Sequence, residues 1–166
     1  MTERRLRAAI LVLSALGAGI AAYLTVARLT HSQVACLTGG CETVQTSRWS
    51  ELAGIPVASL GLGCYVALAA SAVSRTGLGR ALGAVAAVGG LAFALFLVWV
   101  QAAEIHAFCQ WCLVSDAILA LLAPATVLRA WRAAPPPAAP SRPARRPPAP
   151  ARGRRGAPAR PRRSTG

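Results

Sequence analysis

The chain has 166 residues, 55% of them hydrophobic and 14% charged, with 18 Lys+Arg against 5 Asp+Glu and a formal net charge of +13. Such an excess would ordinarily point to nucleic acid, but all 18 basic residues are arginine, and nine of them fall after Pro135 in an acid-free run of Pro, Arg, Ala, Gly, Ser and Thr. The remaining nine arginines and all five acids leave residues 1–134 at only +4, too few charges to cover the surface of a soluble domain. We therefore read residues 1–133 as an apolar membrane domain. Residues 134–166 read as a cytoplasmic tail whose Pro/Arg/Ala composition cannot bury a core. The tail suits loose contact with anionic lipid and no specific nucleic acid.

In chain order, four stretches match the roughly 20 apolar residues that a helix needs to cross a hydrocarbon core. They are Ala8 to Ala27, Ile55 to Ser74, Ala81 to Ala102, and about Phe108 to Leu128. Pro56 suits the first turn of the second. The first follows Arg4, Arg5 and Arg7 but is longer than the apolar run of a signal peptide, and three more spans follow it. Gly17, Gly19, Gly61, Gly63, Gly79, Gly83, Gly89 and Gly90 are expected to serve close helix packing. The bias of arginine toward the cytoplasm then orients the chain. Sixteen arginines and both termini fall inside, whereas Arg28, Arg48, Glu42, Glu51 and Glu104 fall outside. The expected fold is all-α and integral to the membrane.

This topology gives meaning to the five cysteines. Cys36 and Cys41 lie in the first outer loop beside Gly39 and Gly40, and Cys109 and Cys112 open the fourth span as Cys-Gln-Trp-Cys. Four thiols thus face the side on which disulfides persist. A Cys-x-x-Cys at a helix start favours a thiolate through free backbone N–H groups and the helix dipole. Thiolate attack on a neighbouring disulfide passes two electrons onward. Two pairs on one face look like a relay, with the outer pair on a mobile loop reaching between a soluble partner and the buried pair. Static disulfides, or a zinc site completed by His31 or His106, are the competing readings. Cys64, inside the second span, reads as a small hydrophobe.

The run Gly40-Cys41-Glu42-Thr43-Val44-Gln45-Thr46-Ser47-Arg48-Trp49 is followed by Gly54-Ile55-Pro56, Leu60-Gly61 and, later, Cys109-Gln110-Trp111-Cys112. In this order, and with Cys36, these motifs resemble the vitamin K epoxide reductase family over about Ala8 to Trp131. The resemblance implies a four-helix bundle around a quinone (menaquinone or ubiquinone) with a short capping helix in the first outer loop. It implies that Cys109 and Cys112 are the redox-active pair, with Cys112 nearest the quinone. Cys36 would meet the partner, Cys41 would exchange with Cys109, and Ser47 and Trp49 would belong to the cap over the quinone pocket. In bacterial relatives the reaction re-oxidises a thioredoxin-like disulfide oxidase outside the cytoplasmic membrane. Nothing after Trp131 resembles such a domain, so the partner is expected to be a separate chain. Animal relatives reduce vitamin K epoxide and quinone instead.

Two rivals remain at this stage. One is epoxide or quinone reduction in the opposite physiological sense, and the other is a non-enzymatic membrane protein that binds metal through the same thiols. Where the animal enzymes carry a tyrosine, four residues after the second active cysteine, this chain has Asp116. It lies one helical turn from Cys112, and an acid inside a span usually faces a cavity or a partner. We read it either as a source of protons in the quinone pocket or as a solvated or paired acid near the interface. His106 could lower the pKa of Cys109 but reads by default as a solvated loop residue, and Gln101 and Ser115 read as helix-packing hydrogen bonders.

Overall fold

The computed structural model describes residues 2–37 and 39–133; the expected tail, 134–166, lies outside the described residues. Four long helices dominate. Helix α1 spans Glu3–Leu29, and a short helix α2, Cys41–Thr46, follows in the first connection. A 3₁₀ turn at Arg48–Ser50 then leads into a two-residue hairpin, β1 Glu51–Leu52 paired antiparallel with β2 Ile55–Pro56. The long helices α3, Val57–Val73, α4, Gly77–Val100, and α5, Gln110–Ala133, complete the order.

Three of these are long and apolar enough to cross a membrane: Glu3–Leu29, Gly77–Ile105 and Gln110–Arg132. The second expected span is shorter than its apolar run. Pro56, with no N–H to give, sits in β2 and caps α3 from outside rather than in its first turn, which leaves 17 helical residues, about 25 Å of helix. The hairpin is also a departure from an all-α chain. The third helix gains a turn at its start, where Thr76 Oγ1 accepts from the Gly79 N–H at 3.1 Å and satisfies a free N-terminal donor. The fourth begins at Gln110 and not at Phe108, so Cys109 stands immediately before it.

Helix α1 packs along α3 and α4 along α5, and the α1–α5 and α3–α4 contacts close the core. Ile10, Tyr65, Leu68, Ala87 and Leu122 form its centre. The expectation of close packing holds at Gly17, where a side chain would collide with the Tyr65 ring, and likewise at Gly83 and Gly90; at Gly79 a side chain would meet Ser74 and Thr76 of the adjoining turn. It does not hold at Gly19, Gly61, Gly63 and Gly89, whose missing side chains would meet nothing within 4 Å. Glycine there leaves space open rather than drawing helices together.

At one end of the core a single arginine ties three elements. Arg129, 4% exposed, donates to Glu3 Oε1 at 2.9 Å, to the Ser71 carbonyl at 2.7 Å and to the Ser74 carbonyl at 3.0 Å. The carbonyls belong to the last turn of α3 and to Ser74 just after it, where acceptors have no helical partner. Removing the guanidinium buries unmet acceptors, so Arg129→Met is expected to cost about 2–4 kcal/mol. Denaturant unfolding of the detergent-solubilised protein checks this.

Candidate functional site

The opposite end of the core carries the connections 30–56 and 101–109, and all four cysteines of the two expected pairs meet there. Cys36 and Cys41 form a disulfide, whereas Cys109 and Cys112 are thiols. Cys36 is half-buried, and Cys41 and Cys109 are fully buried. Of the outer pair, then, Cys36 is the less buried residue.

The segment Phe108–Trp111 is the seat on which the outer pair rests. Gly40 lies so close to Phe108 that a Cβ on it would fall 2.6 Å from the Phe108 carbonyl oxygen; only glycine permits that approach. On the other side of the disulfide, Leu37 N–H donates to Gln110 Oε1 at 3.0 Å, and the Trp111 indole N–H donates to the Ala35 carbonyl at 2.7 Å. Ala35 N–H donates to the Tyr23 hydroxyl at 3.0 Å, and Tyr23 meets Trp111 edge-on at 5.5 Å between ring centroids. The main chain on either side of Cys36 is thus hydrogen-bonded to side chains of α1 and α5.

Cys109 is prepared by its neighbours. The Cys112 thiol hydrogen-bonds to its sulfur, and the Trp111 and Cys112 amides at the start of α5 add to this. Together they bring the Cys109 thiol down to about 7, against the opposing effect of burial. A thiolate stabilised by donors at a helix start is the form that exchanges with disulfides. The Cys109 N–H donates to Gln101 Oε1 at 2.8 Å. Gln101, 2% exposed, opens the π-helical turn Gln101–Ile105, which ends at His106 with φ 55°. Its amide is thus a support for the active segment rather than a helix-packing contact. The sequence signal was available: Gln101 is an uncharged polar residue at the end of a long apolar run. His106 is an exposed loop residue, as expected.

Since these donors hold the Cys109 pKa below that of an ordinary thiol, exchange through it is expected to slow as pH falls through the lowered value. Cys112→Ala removes the donor and lets the Cys109 pKa climb toward the ordinary thiol value of about 8.5. The expected result is an exchange rate at pH 7 about tenfold below that of Cys112→Ser, which keeps a donor, with the midpoint moved to higher pH. Stopped-flow exchange against pH checks it.

Behind the thiols lies a cavity of about 310 Å³. It is lined by Cys112, Ser115 and Asp116 of α5 and by Phe93, Leu97 and Gln101 of α4 and the turn that follows it. Val44, Ser47, Trp49 and Leu52 from the first connection close its end. Ser47 Oγ is turned to the Val44 carbonyl at 2.8 Å, and Trp49 meets Phe96 edge-on at 5.9 Å with the Arg48 guanidinium over its ring. Ion pairs Arg48–Glu104 (3.4 Å) and Arg28–Glu51 (2.8 Å) tie the same connection to the ends of α4 and α1.

Asp116 reaches the cavity from the same wall as Cys112, and its Oδ2 is buried without a hydrogen-bond partner among the described residues. The residue as a whole is half-buried. Tyr65, on α3, donates to the Ser115 carbonyl at 2.8 Å and shares a 2.8 Å contact with the Ser115 hydroxyl. Cys64 also lines the cavity, its thiol 3.7 Å from the Ala86 carbonyl; burial as a small hydrophobe explains only part of that placement. Among the described residues, no three His, Cys, Asp or Glu side chains converge to hold a metal ion.

A profile of the vitamin K epoxide reductase family matches residues 8–127, which is most of the chain and nearly all of the helical core. The chain belongs to the vitamin K epoxide reductase family. Membership makes it a membrane oxidoreductase that works through thiols, and the cysteine pairs above are the thiols available to it. The family is linked to quinones, and the cavity suits such a ligand. Its lining is mostly aliphatic and aromatic, which fits a flat ring, with Gln101, Ser115 and Asp116 among its few polar side chains.

Proposed function

We propose that the protein re-oxidises a thioredoxin-like disulfide oxidase, a separate chain outside a bacterial cytoplasmic membrane, and passes the electrons to a membrane quinone. The observation that carries this reading is the nesting of the two pairs. The Cys36–Cys41 disulfide is seated on Phe108–Trp111, Cys109 lies hydrogen-bonded to Cys112, and Cys112 stands at the cavity wall.

A thiolate of the partner attacks Cys36, the half-buried sulfur, and breaks the Cys36–Cys41 bond. The second partner thiol then displaces Cys36, so the partner leaves oxidised and the outer pair becomes two thiols. Cys41 attacks Cys109 of an oxidised inner pair and releases Cys112. Cys36 resolves the Cys41–Cys109 bond, which restores the outer disulfide and leaves Cys109 and Cys112 reduced. Each exchange conserves one disulfide and moves two electrons inward. An outer disulfide with an inner dithiol is the arrangement seen in the structure. A quinone, when bound, accepts two electrons and two protons. Cys112 gives up the electrons at the cavity wall as the Cys109–Cys112 disulfide re-forms. Asp116 holds a proton beside it, and Ser47 and Trp49 exclude water from the cavity end.

In this reading the shorter helix α3 is the fourth span, the four long helices form a bundle, and α2 caps its outer mouth. Arginine placement supports the orientation. Arg4, Arg5, Arg7, Arg75, Arg80 and Arg132 belong to the segments around the Arg129 cluster, which would be the cytoplasmic end. Menaquinone and ubiquinone both suit the cavity. The test is reconstitution in liposomes with menaquinone and a reduced thioredoxin-like oxidase. Partner oxidation that requires quinone and all four cysteines supports the assignment. Vitamin K epoxide reduction without partner oxidation favours the opposite sense.

A further inference from the structure

Exchange between the pairs needs only a thiolate near a disulfide, yet the contacts around Cys36 do more. Residues 33–37 form no helix or strand, so their main-chain groups lack regular partners. Three side chains supply them. Tyr23 and Trp111 take the N–H and the carbonyl of Ala35, and Gln110 takes the N–H of Leu37. Cys36 is thereby gripped on both sides. Gln110 and Trp111 are the two residues between Cys109 and Cys112. The grip uses only backbone groups and leaves the Leu37 side chain 96% exposed, available to whatever approaches Cys36.

We propose that Gln110 and Trp111, together with Tyr23, form a latch that parks the outer disulfide on the inner pair with Cys41 toward Cys109. The spacer of the Cys-x-x-Cys motif is then a docking element for the shuttle segment, and its residues are positioning residues. The proposal rests on the relay reading. Its physical basis is orientation: held reactants behave as if highly concentrated, and a loop that wanders loses that advantage. The latch also sets which outer sulfur faces Cys109. Gly40 against Phe108 brings the Cys41 side in, and the Ala35 and Leu37 contacts keep Cys36 at the outer rim.

The test uses the full-length Cys112→Ser protein, in which Cys109 attacks the Cys36–Cys41 disulfide and cannot be resolved by Cys112. The bond formed is Cys41–Cys109, the bond broken is Cys36–Cys41, and Cys36 leaves as a thiolate. Acid quenching, alkylation and non-reducing peptide mapping follow the rate and distinguish Cys41–Cys109 from Cys36–Cys109. Gln110→Leu and Trp111→Phe keep side-chain bulk and lose the hydrogen bond. Each is expected to slow linkage about fivefold, and the pair about twentyfold, in line with one modest hydrogen bond apiece. Cys36–Cys109 is expected to rise at the expense of Cys41–Cys109, a change of partner that general destabilisation would not produce. Unchanged rate and unchanged choice of sulfur in the double variant would overturn the latch. Absence of either linkage in the Cys112→Ser parent would instead overturn the relay. Should the double variant fail to purify as a folded monodisperse protein, the two single variants decide the question by the same readout.

Discussion

Replacing Cys112 with serine is expected to lower quinone reduction by about a thousandfold or more, because the inner disulfide can no longer form. The same variant is expected to accumulate the Cys41–Cys109 linkage, which identifies the pair of sulfurs that meet. The geometry makes this specific. Cys41 and Cys109 are the two fully buried cysteines, and Gly40 and Phe108, their neighbours in sequence, are in backbone contact. Non-reducing mass mapping and a quinone absorbance assay on one preparation read both outcomes. Cys109→Ser is expected to lose activity as fully but to form no linkage from the outer pair inward. A Cys112→Ser protein that still reduced quinone at the parent rate would remove Cys112 from the path.

The second large effect is at Asp116. Quinone reduction consumes protons as well as electrons, and Asp116 shares the cavity wall with Cys112 while its Oδ2 has no partner among the described residues. Asp116→Asn keeps the shape and removes the exchangeable proton. The expected outcome is a fall of about a hundredfold in quinone reduction, the usual scale for losing a positioned acid or base. The rate of exchange between the cysteine pairs, followed in the Cys112→Ser background, is expected to stay unchanged. Normal quinone reduction by Asp116→Asn across pH 5 to 9, a range of about four units around neutrality, would make Asp116 a bystander.

The sequence carried the places of the four long helices closely, three of them long enough to cross a membrane, because an apolar run is a local signal, and it carried the cysteine pairs because their spacing is local. It misjudged α3, since an apolar run tells nothing about where backbone pairing in β2 takes residues away from the helix. The glycines divided for a similar reason. Gly17 makes room for the Tyr65 ring from another helix, and Gly61 faces open space; nothing local separates them. Arg129 was legible as a charge marking one side, but its contacts with Glu3, Ser71 and Ser74 bring together residues far apart in sequence. Gln101, Gln110 and Trp111 act on backbone groups of other segments, and a side chain that recognises a peptide group leaves no matching motif at its target. Asp116 was visible as an acid in an apolar helix, and the structure added that it shares the cavity wall with Cys112.

The most direct measurement is a thiol inventory of the purified protein before and after quinone. The protein is reduced with dithiothreitol, freed of reductant, mixed with menaquinone in detergent, then acid-quenched and alkylated. Loss of the Cys109 and Cys112 thiols to a Cys109–Cys112 disulfide, with one quinone consumed for each pair oxidised, is the result that thiol-to-quinone transfer requires. Four thiols that remain alkylatable and unresponsive to quinone would contradict it.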